Sequence, residues 1–280
     1  MKLLVVGGSS FIGRNLLPKI PKQVEVFSTY YSNEAAPGNS VKADLRNPDS
    51  IAELARKLPE VDVILYLAAN SDPKKSIAEP LNDLELNALG LVRVLKSIRC
   101  RRLVYMSTGA VYQDELIPYV ISKRTAEEYV KYFARAKGFS YVIVRLFDTY
   151  GPYSPERKIF RKLARQFSEG KAEVTLFGDG SNLIDPLYVG DTADALVKVI
   201  MSSGGDATAD LCTGKPITLK ELVERTGQIF GVKPKIRFEG EAVEKKTYSG
   251  DPSRMKELFG FSATVSLEGG FKRWQATEKL

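Results

Sequence analysis

Lys2-Leu3-Leu4-Val5-Val6-Gly7-Gly8-Ser9-Ser10-Phe11-Ile12-Gly13-Arg14-Asn15-Leu16-Leu17 decides the fold of this 280-residue chain. Its opening residues form an apolar run closed by glycine, the pattern of a buried strand. Gly7 permits the positive φ of a tight turn. Gly13 lets the helix that follows pack closely on the strand. Strand, glycine turn and helix in this order aim backbone N–H groups at a pyrophosphate. A Gly-x-x-Gly-x-x-Gly pattern has a glycine at position 10; here it is Ser10, whose hydroxyl is a further donor. Gly7, Ser9, Ser10, Phe11, Ile12 and Gly13 are the predicted dinucleotide contacts. The alternative is an ordinary strand-to-helix turn without a ligand, and the motif's context argues against it.

Strand-like and helix-like stretches alternate outward from this unit. Val24–Tyr31 reads as the second strand, Val61–Leu67 as another, then a long helical pattern from about Ile77 to Ile98. Arg102–Met106 reads as a strand, a helix carries Tyr119, and Tyr141–Val144 is a strand again. Alternation of this kind predicts an α/β fold, a doubly wound parallel sheet with helices on both faces. Ligands bind at the carboxyl ends of such strands. Gly7, Ala68, Thr108 and Asp148 fall at these ends and are expected to line one crevice. No acidic residue closes the second strand to bind the ribose hydroxyls of NAD, and only Arg14 offers itself to the 2′-phosphate of NADP. NAD versus NADP stays open. After Tyr150-Gly151-Pro152 the rhythm loosens. Residues 1–150 are therefore expected to bind the dinucleotide. Residues 151–280 are expected to form a smaller C-terminal substrate-binding lobe, with about 188–213 rejoining the first domain.

Chemistry enters at Met106-Ser107-Thr108-Gly109-Ala110-Val111-Tyr112 and Tyr119-Val120-Ile121-Ser122-Lys123. A Tyr-x-x-x-Lys pair on a helix shares one face, one turn apart. A phenol of pKa ~10 is a poor base at neutral pH. A neighbouring ammonium favours the phenolate. Tyr119 can then exchange a proton with a substrate hydroxyl as acid/base, with Lys123 tuning it and Thr108 holding the same hydroxyl. About one such pair is expected by chance among 13 Tyr in a Lys-rich chain. A solvated Lys beside a half-buried Tyr is its plain reading, which the glycine turn outweighs.

The composition bounds the rest. The apolar share is 44% and the net charge +7. No apolar run approaches the ~20 residues of a membrane span. The first strand begins at Lys2, so no signal peptide is expected, and Cys100 and Cys212 fit a reducing cytoplasm. The absence of His removes His-based triads and zinc sites of the usual kind, and no metal site is expected. Arg157, Lys158, Arg161, Lys162 and Arg165 interleave with Ile159, Phe160, Leu163, Ala164 and Phe167 as an amphipathic helix. Its basic face is either solvated or a wall for a phosphorylated substrate. There are no internal repeats and no low-complexity linker.

With these residues assembled, the chain resembles the extended short-chain dehydrogenase/reductase superfamily, specifically its NAD-dependent epimerase/dehydratase (nucleotide-sugar epimerase) family. The resemblance spans nearly the whole chain. It rests on Gly-Gly-x-x-Phe-Ile-Gly at 7–13, Asp44-Leu45, Leu67-Ala68-Ala69, Asn87, Ser107-Thr108-x-x-Val111-Tyr112 and Tyr119-x-x-x-Lys123. In the second half it rests on Arg145, Tyr150-Gly151-Pro152, Phe177-Gly178-Asp179-Gly180-Ser181, Asp185, Tyr188-Val189-x-Asp191 and Asp251-Pro252-Ser253. It implies a Rossmann-type sheet, and roles for named residues. Asp44 and Leu45 would contact adenine, and Leu67, Ala68 and Ala69 would line the cofactor. Lys123 would bond the nicotinamide ribose, and Asn87 would belong to the active-site hydrogen-bond network. Asn70, Thr108, Asp148 and Arg161 are the expected substrate contacts. Family members often pair through two helices, here near 77–98 and 118–136, which implies a homodimer.

Departures from the family pattern narrow the function. Gly109 and Ala110 replace the Asp-Glu pair of the dehydratases. The stretch between Tyr112 and Tyr119 is short. Asp148 stands for the usual Asn, and Ile184 for the Arg that grips the nucleotide diphosphate. Arg157, Arg161 and Lys162 are the candidates to compensate. The reading is an NAD(P)-dependent sugar or nucleotide-sugar epimerase working through a transient keto intermediate. A sugar dehydrogenase or reductase is the alternative, and a non-catalytic NAD(P)-binding regulatory subunit the second. An RNA-binding role is favoured by charge alone, since no basic stripe interleaved with aromatics is present.

Overall fold

The computed structural model describes residues 1–114, 116–240 and 249–278. The chain divides into two compact units. The first is Met1–Leu146 with Leu196–Ala209, and the second is Phe147–Ala195 with Asp210–Leu280. The division thus falls a few residues before the Tyr150-Gly151-Pro152 stretch, and the returning segment is shorter than the 188–213 expected.

The first unit is built on a seven-stranded sheet. β1 (Lys2–Val6), β2 (Glu25–Tyr30), β3 (Asn39–Lys42), β4 (Glu60–Tyr66), β5 (Arg99–Thr108) and β6 (Ser140–Leu146) lie in the order β6-β5-β4-β1-β2-β3. The strand Ala207–Leu211 lies against β6 at the edge. β1 pairs in parallel with both β2 and β4, with Leu4 opposite Phe27 on one side and Ile64 on the other. The order reverses between β1 and β4, which is where a doubly wound sheet binds its ligand. Leu4, Val6, Ile64, Tyr66, Leu103, Tyr105 and Ile143 pack with Leu91, Val94 and Val130 of the covering helices. Burial on both faces explains why β1 and β4 read as continuous apolar runs.

One expectation needs correction. The helical pattern near residues 77–98 is four pieces: Pro73–Ala78, Pro80–Leu84, a π turn Glu85–Leu89, and Gly90–Ser97. Glu79 leaves the helical region at φ −131° and ψ 63°. The residue before a proline is pushed out of the α region, and Pro80 restarts the helix.

Among the described residues the second unit has three two-stranded pairings and several helices. Thr149–Tyr150 pairs with Leu187–Tyr188, Leu183–Ile184 with Ile217–Thr218, and Glu173–Phe177 with Lys235–Glu239. Its core holds an aromatic cluster among aliphatic side chains. The Tyr150 ring stacks on Phe160 at 4.9 Å and meets Phe271 at 5.2 Å, while Phe271 stacks on Trp274 at 5.8 Å. Among the described residues no helix is long and apolar enough to cross a membrane.

Candidate active site

The glycine turn joins β1 to the helix Phe11–Leu16. Gly7 has φ +90°, and a Cβ there would meet the Ala68 backbone nitrogen at 2.9 Å. A Cβ at Gly13 would meet the Gly8 carbonyl oxygen at 2.3 Å. Both glycines are therefore required by close backbone approach. The turn is internally braced: Ser10 N–H donates to Gly7 O at 3.0 Å and Gly7 N–H to Thr29 Oγ1 at 2.9 Å. Ser10 Oγ accepts from Gly13 N–H at 3.2 Å, so its lone pair caps the helix and its proton is left for a ligand. Phe11 and Ile12 stand in the first helical turn, where backbone N–H groups have no intrahelical acceptor. Such a turn suits a pyrophosphate. Arg14 Nε and Asn33 Nδ2 both donate to Ser9 O, at 3.3 and 3.1 Å, placing these side chains beside the turn.

Asp44 and Leu45 follow β3. The Asp44 carboxylate is clamped by Arg46, at 2.9 Å from Nε and 3.0 Å from Nη2, which holds its pKa below the ordinary range. The Arg46 guanidinium lies over the Tyr31 ring at 5.1 Å. Leu45 is buried, and its carbonyl accepts from Arg93. Leu67 and Ala68 N–H both donate to Val6 O, so the 67–69 segment runs alongside the glycine turn.

Thr108 is the last residue of β5. Its Oγ1 accepts from Ala110 N–H at 3.2 Å and retains its own proton. Tyr119 is the second residue of the helix Pro118–Lys137, and Lys123 follows one turn later. Lys123 is 3% exposed. Its Nζ donates to Met106 O at 2.6 Å and lies 4.3 Å from the Tyr105 ring centroid. Burial pushes its pKa down to about 7, against the charges of Glu127 and Asp83, which favour the ammonium. An ammonium carries three donors, so a ribose hydroxyl suits those that Met106 does not take.

Two buried networks brace this centre, and most of both is absent from the sequence-based expectations. Asn87 lies in the π turn, a feature frequent at functional sites. Its Oδ1 accepts from Asn70 N–H at 2.7 Å, and its Nδ2 reaches Asp83 and Ser122 at 3.1 and 3.0 Å. Asn70, expected at the substrate, spends its side chain here: Nδ2 donates to Asp83 at 2.8 Å and Oδ1 accepts from Asp72 N–H. The second network starts at Glu127, one turn beyond Lys123. Ser107 Oγ donates to it at 2.6 Å, and Arg145 donates twice, at 3.0 and 2.6 Å. The Arg145 guanidinium also lies 4.7 Å from the Tyr112 ring centroid. Asp83 and Glu127 were detectable as acidic residues at apolar positions of helical patterns, four residues from Asn87 and Lys123.

Asp148 and Arg161 belong to the second unit. Asp148 accepts from Asp185 N–H at 3.2 Å; burial raises its pKa, opposed by the Lys158 ammonium. Burial also lowers the pKa of Lys158 itself. Asp185 is held by Thr213 and Gly214 N–H groups at 2.9 and 2.8 Å. Arg161 is ion-paired with Glu278 at 2.7 Å and Glu156 at 3.1 Å, and lies over Trp274. Arg165 pairs with Glu156 and Glu169. Much of the expected basic wall is thus neutralised locally, and Ile184 is buried.

Known proteins resemble the chain over nearly its whole length. A profile described as the NAD dependent epimerase/dehydratase family matches residues 3–209. The chain is 27% identical to a putative UDP-glucose 4-epimerase of Methanocaldococcus jannaschii, covering 97% of this chain and 96% of that one. It is 24% identical to GDP-6-deoxy-D-mannose reductase of Pseudomonas aeruginosa, covering 95% and 93%. UDP-glucose 4-epimerase of Thermotoga maritima, solved with UDP-glucose, superposes with a TM-score of 0.88 at 23% identity, covering 99% and 100%.

Proposed function

Because the chain belongs to the NAD dependent epimerase/dehydratase family, we propose that it is a nucleotide-sugar epimerase using NAD or NADP. A bound nicotinamide dinucleotide supplies hydride transfer at a carbinol carbon. Tyr119 takes the proton of the substrate hydroxyl as the sugar becomes a ketone, and returns it as the hydroxyl reforms. Thr108 holds the same oxygen. Lys123 bonds the ribose and, as an ammonium, favours the Tyr119 phenolate. The observation that carries this reading is Lys123, buried and bonded to Met106 O one turn after Tyr119. The substrate class comes from the relatives, one of which is named for UDP-glucose. In the second unit Asp148, Asp185 and Lys158 form the polar cluster proposed to meet the substrate. Arg161 joins it only by leaving Glu156 and Glu278.

A reductase is the second reading, favoured by the relative named for GDP-6-deoxy-D-mannose. Native mass spectrometry followed by denaturation separates the two. Near-stoichiometric dinucleotide leaving the purified protein supports the epimerase; an empty protein that exchanges NADPH supports the reductase. Binding of neither contradicts both.

The protein is further proposed to be a cytoplasmic homodimer. Ile77, Leu81, Leu84, Ile121, Tyr129 and Tyr132 are exposed on the helices Pro73–Ala78, Pro80–Leu84 and Pro118–Lys137. Apolar patches of this kind mark interaction surfaces. A monomeric mass in solution contradicts the dimer. The free thiols Cys100 and Cys212 fit the location.

A further inference from the structure

In a doubly wound sheet the carboxyl end of the second strand meets the adenosine ribose. A carboxylate there takes the 2′-hydroxyl of NAD, and an arginine nearby takes the 2′-phosphate of NADP. From Ser28 to Asn33 this chain holds no acid. Thr29 is 3% exposed, and its Oγ1 already accepts from Gly7 N–H at 2.9 Å. Two donor side chains from separate elements converge beside it. Arg14 Nε, on the helix Phe11–Leu16, lies 3.3 Å from Ser9 O, and Asn33 Nδ2, on the segment after β2, lies 3.1 Å from the same atom. A guanidinium and an amide that share one acceptor stand side by side, where the glycine turn meets the end of β2. The acids of the neighbouring segments do not oppose an anion there. The Asp44 carboxylate is taken by Arg46 at 2.9 and 3.0 Å, and that guanidinium lies 5.1 Å from the Tyr31 ring centroid. Glu34, next along the chain from Asn33, is exposed and screened by water.

We propose that the protein selects NADP over NAD, and that Arg14 and Asn33 make the selection by binding the 2′-phosphate of the adenosine ribose. A guanidinium is permanently charged, and its planar fork matches phosphate oxygens. The Asn33 amide adds a neutral donor from the other element. The selection works from both sides. The 2′-phosphate of NADP meets donors and one uncompensated positive charge. The 2′-hydroxyl of NAD, itself a donor, meets no carboxylate at the end of β2. A plain brace of the Ser9 carbonyl would use the same two contacts, but it would serve both dinucleotides equally, and that difference is measurable. The inference rests on the reading that the chain binds a nicotinamide dinucleotide. It does not depend on whether the reaction is an epimerisation or a reduction.

Binding rather than turnover tests it. NADP+ and NAD+ are each titrated into the full chain by calorimetry, and any dinucleotide retained through purification is identified by mass. NADP+ is expected to bind about tenfold tighter or more, the worth of one charge-assisted phosphate contact. The NADP+ affinity is also expected to fall more steeply with added salt than that of NAD+. Equal affinities, tighter NAD+ or retained NAD overturn the proposal and leave the dinucleotide reading intact. Binding of neither overturns both. Arg14→Gln is expected to weaken NADP+ about tenfold while changing NAD+ less than about twofold. An equal loss for both dinucleotides would make Arg14 a brace of the turn and contradict the selection. Asn33→Ala keeps the guanidinium and is expected to cost NADP+ alone about threefold. It tests the site even if Arg14→Gln fails to fold, and an unchanged NADP+ affinity there removes Asn33 from the assignment.

Discussion

The first unit buries a lysine one turn beyond its proposed acid/base, whereas the second buries carboxylates on backbone N–H groups and pairs its arginines with glutamates. Lys123 is 3% exposed and, among the described residues, forms no ion pair; the donors that Asp83 meets among them are neutral, and Glu127 and Arg145 form a pair with Glu127 2% exposed. In the second unit Arg161 takes two glutamates, Arg165 two, and Arg225 two. Buried, under-compensated charge is expensive, so it persists where it supports chemistry. Solvated ion pairs contribute little and are weak evidence for a site.

Substitutions probe the contrast between the units, beginning with the largest expected effect. Tyr119→Phe removes the acid/base while leaving the ring, and turnover is expected to fall about a thousandfold. A fall under tenfold would refute the assignment. Glu127→Gln leaves the Arg145 guanidinium without its carboxylate. Loss of one partner of a buried pair costs about 3 kcal/mol or more, read as a lower urea midpoint.

Lys123→Met acts in the opposite sense on stability. The folded pKa of Lys123 is lowered to about 7 from 10.5 in the reference state. Below pH 7 both states are charged and the folded state bears the full cost of burying the ammonium. Between 7 and 10.5 the unfolded state binds more protons, so stability rises with pH. The variant is therefore expected to melt higher than the parent by several degrees at pH 6, and by less at pH 9. A melting temperature below the parent at both pH values contradicts the burial cost. The smallest effect belongs to the second unit. Arg161→Ala should change the KM for a nucleotide sugar less than about twofold, because its guanidinium serves Glu156 and Glu278. A tenfold rise would show that Arg161 leaves those partners for the substrate.

Local signals made the sheet and the turn legible. β1 and β4 are apolar runs because both faces are covered, and Gly7 and Gly13 sit where a Cβ has no room. Tyr119 and Lys123 were readable because four-residue spacing on a helix is geometry within one element. The break at Glu79 was visible as Pro80, but the apolar periodicity on either side masked it. The Asp83 network was not legible, because Ser122 lies 39 residues away and its hydroxyl is silent in any pattern. Arg161 looked available in sequence because Glu278, its partner, is 117 residues distant. Asp44 looked open to adenine, whereas Arg46, two residues on, holds its carboxylate.

The most direct test of the proposed epimerase is turnover of a UDP-sugar by the purified protein with no dinucleotide added. UDP-glucose is expected to give its epimer, seen by NMR, with no net change in nicotinamide absorbance. No epimer under these conditions, together with stoichiometric oxidation of added NADPH by a keto-sugar nucleotide, would contradict it.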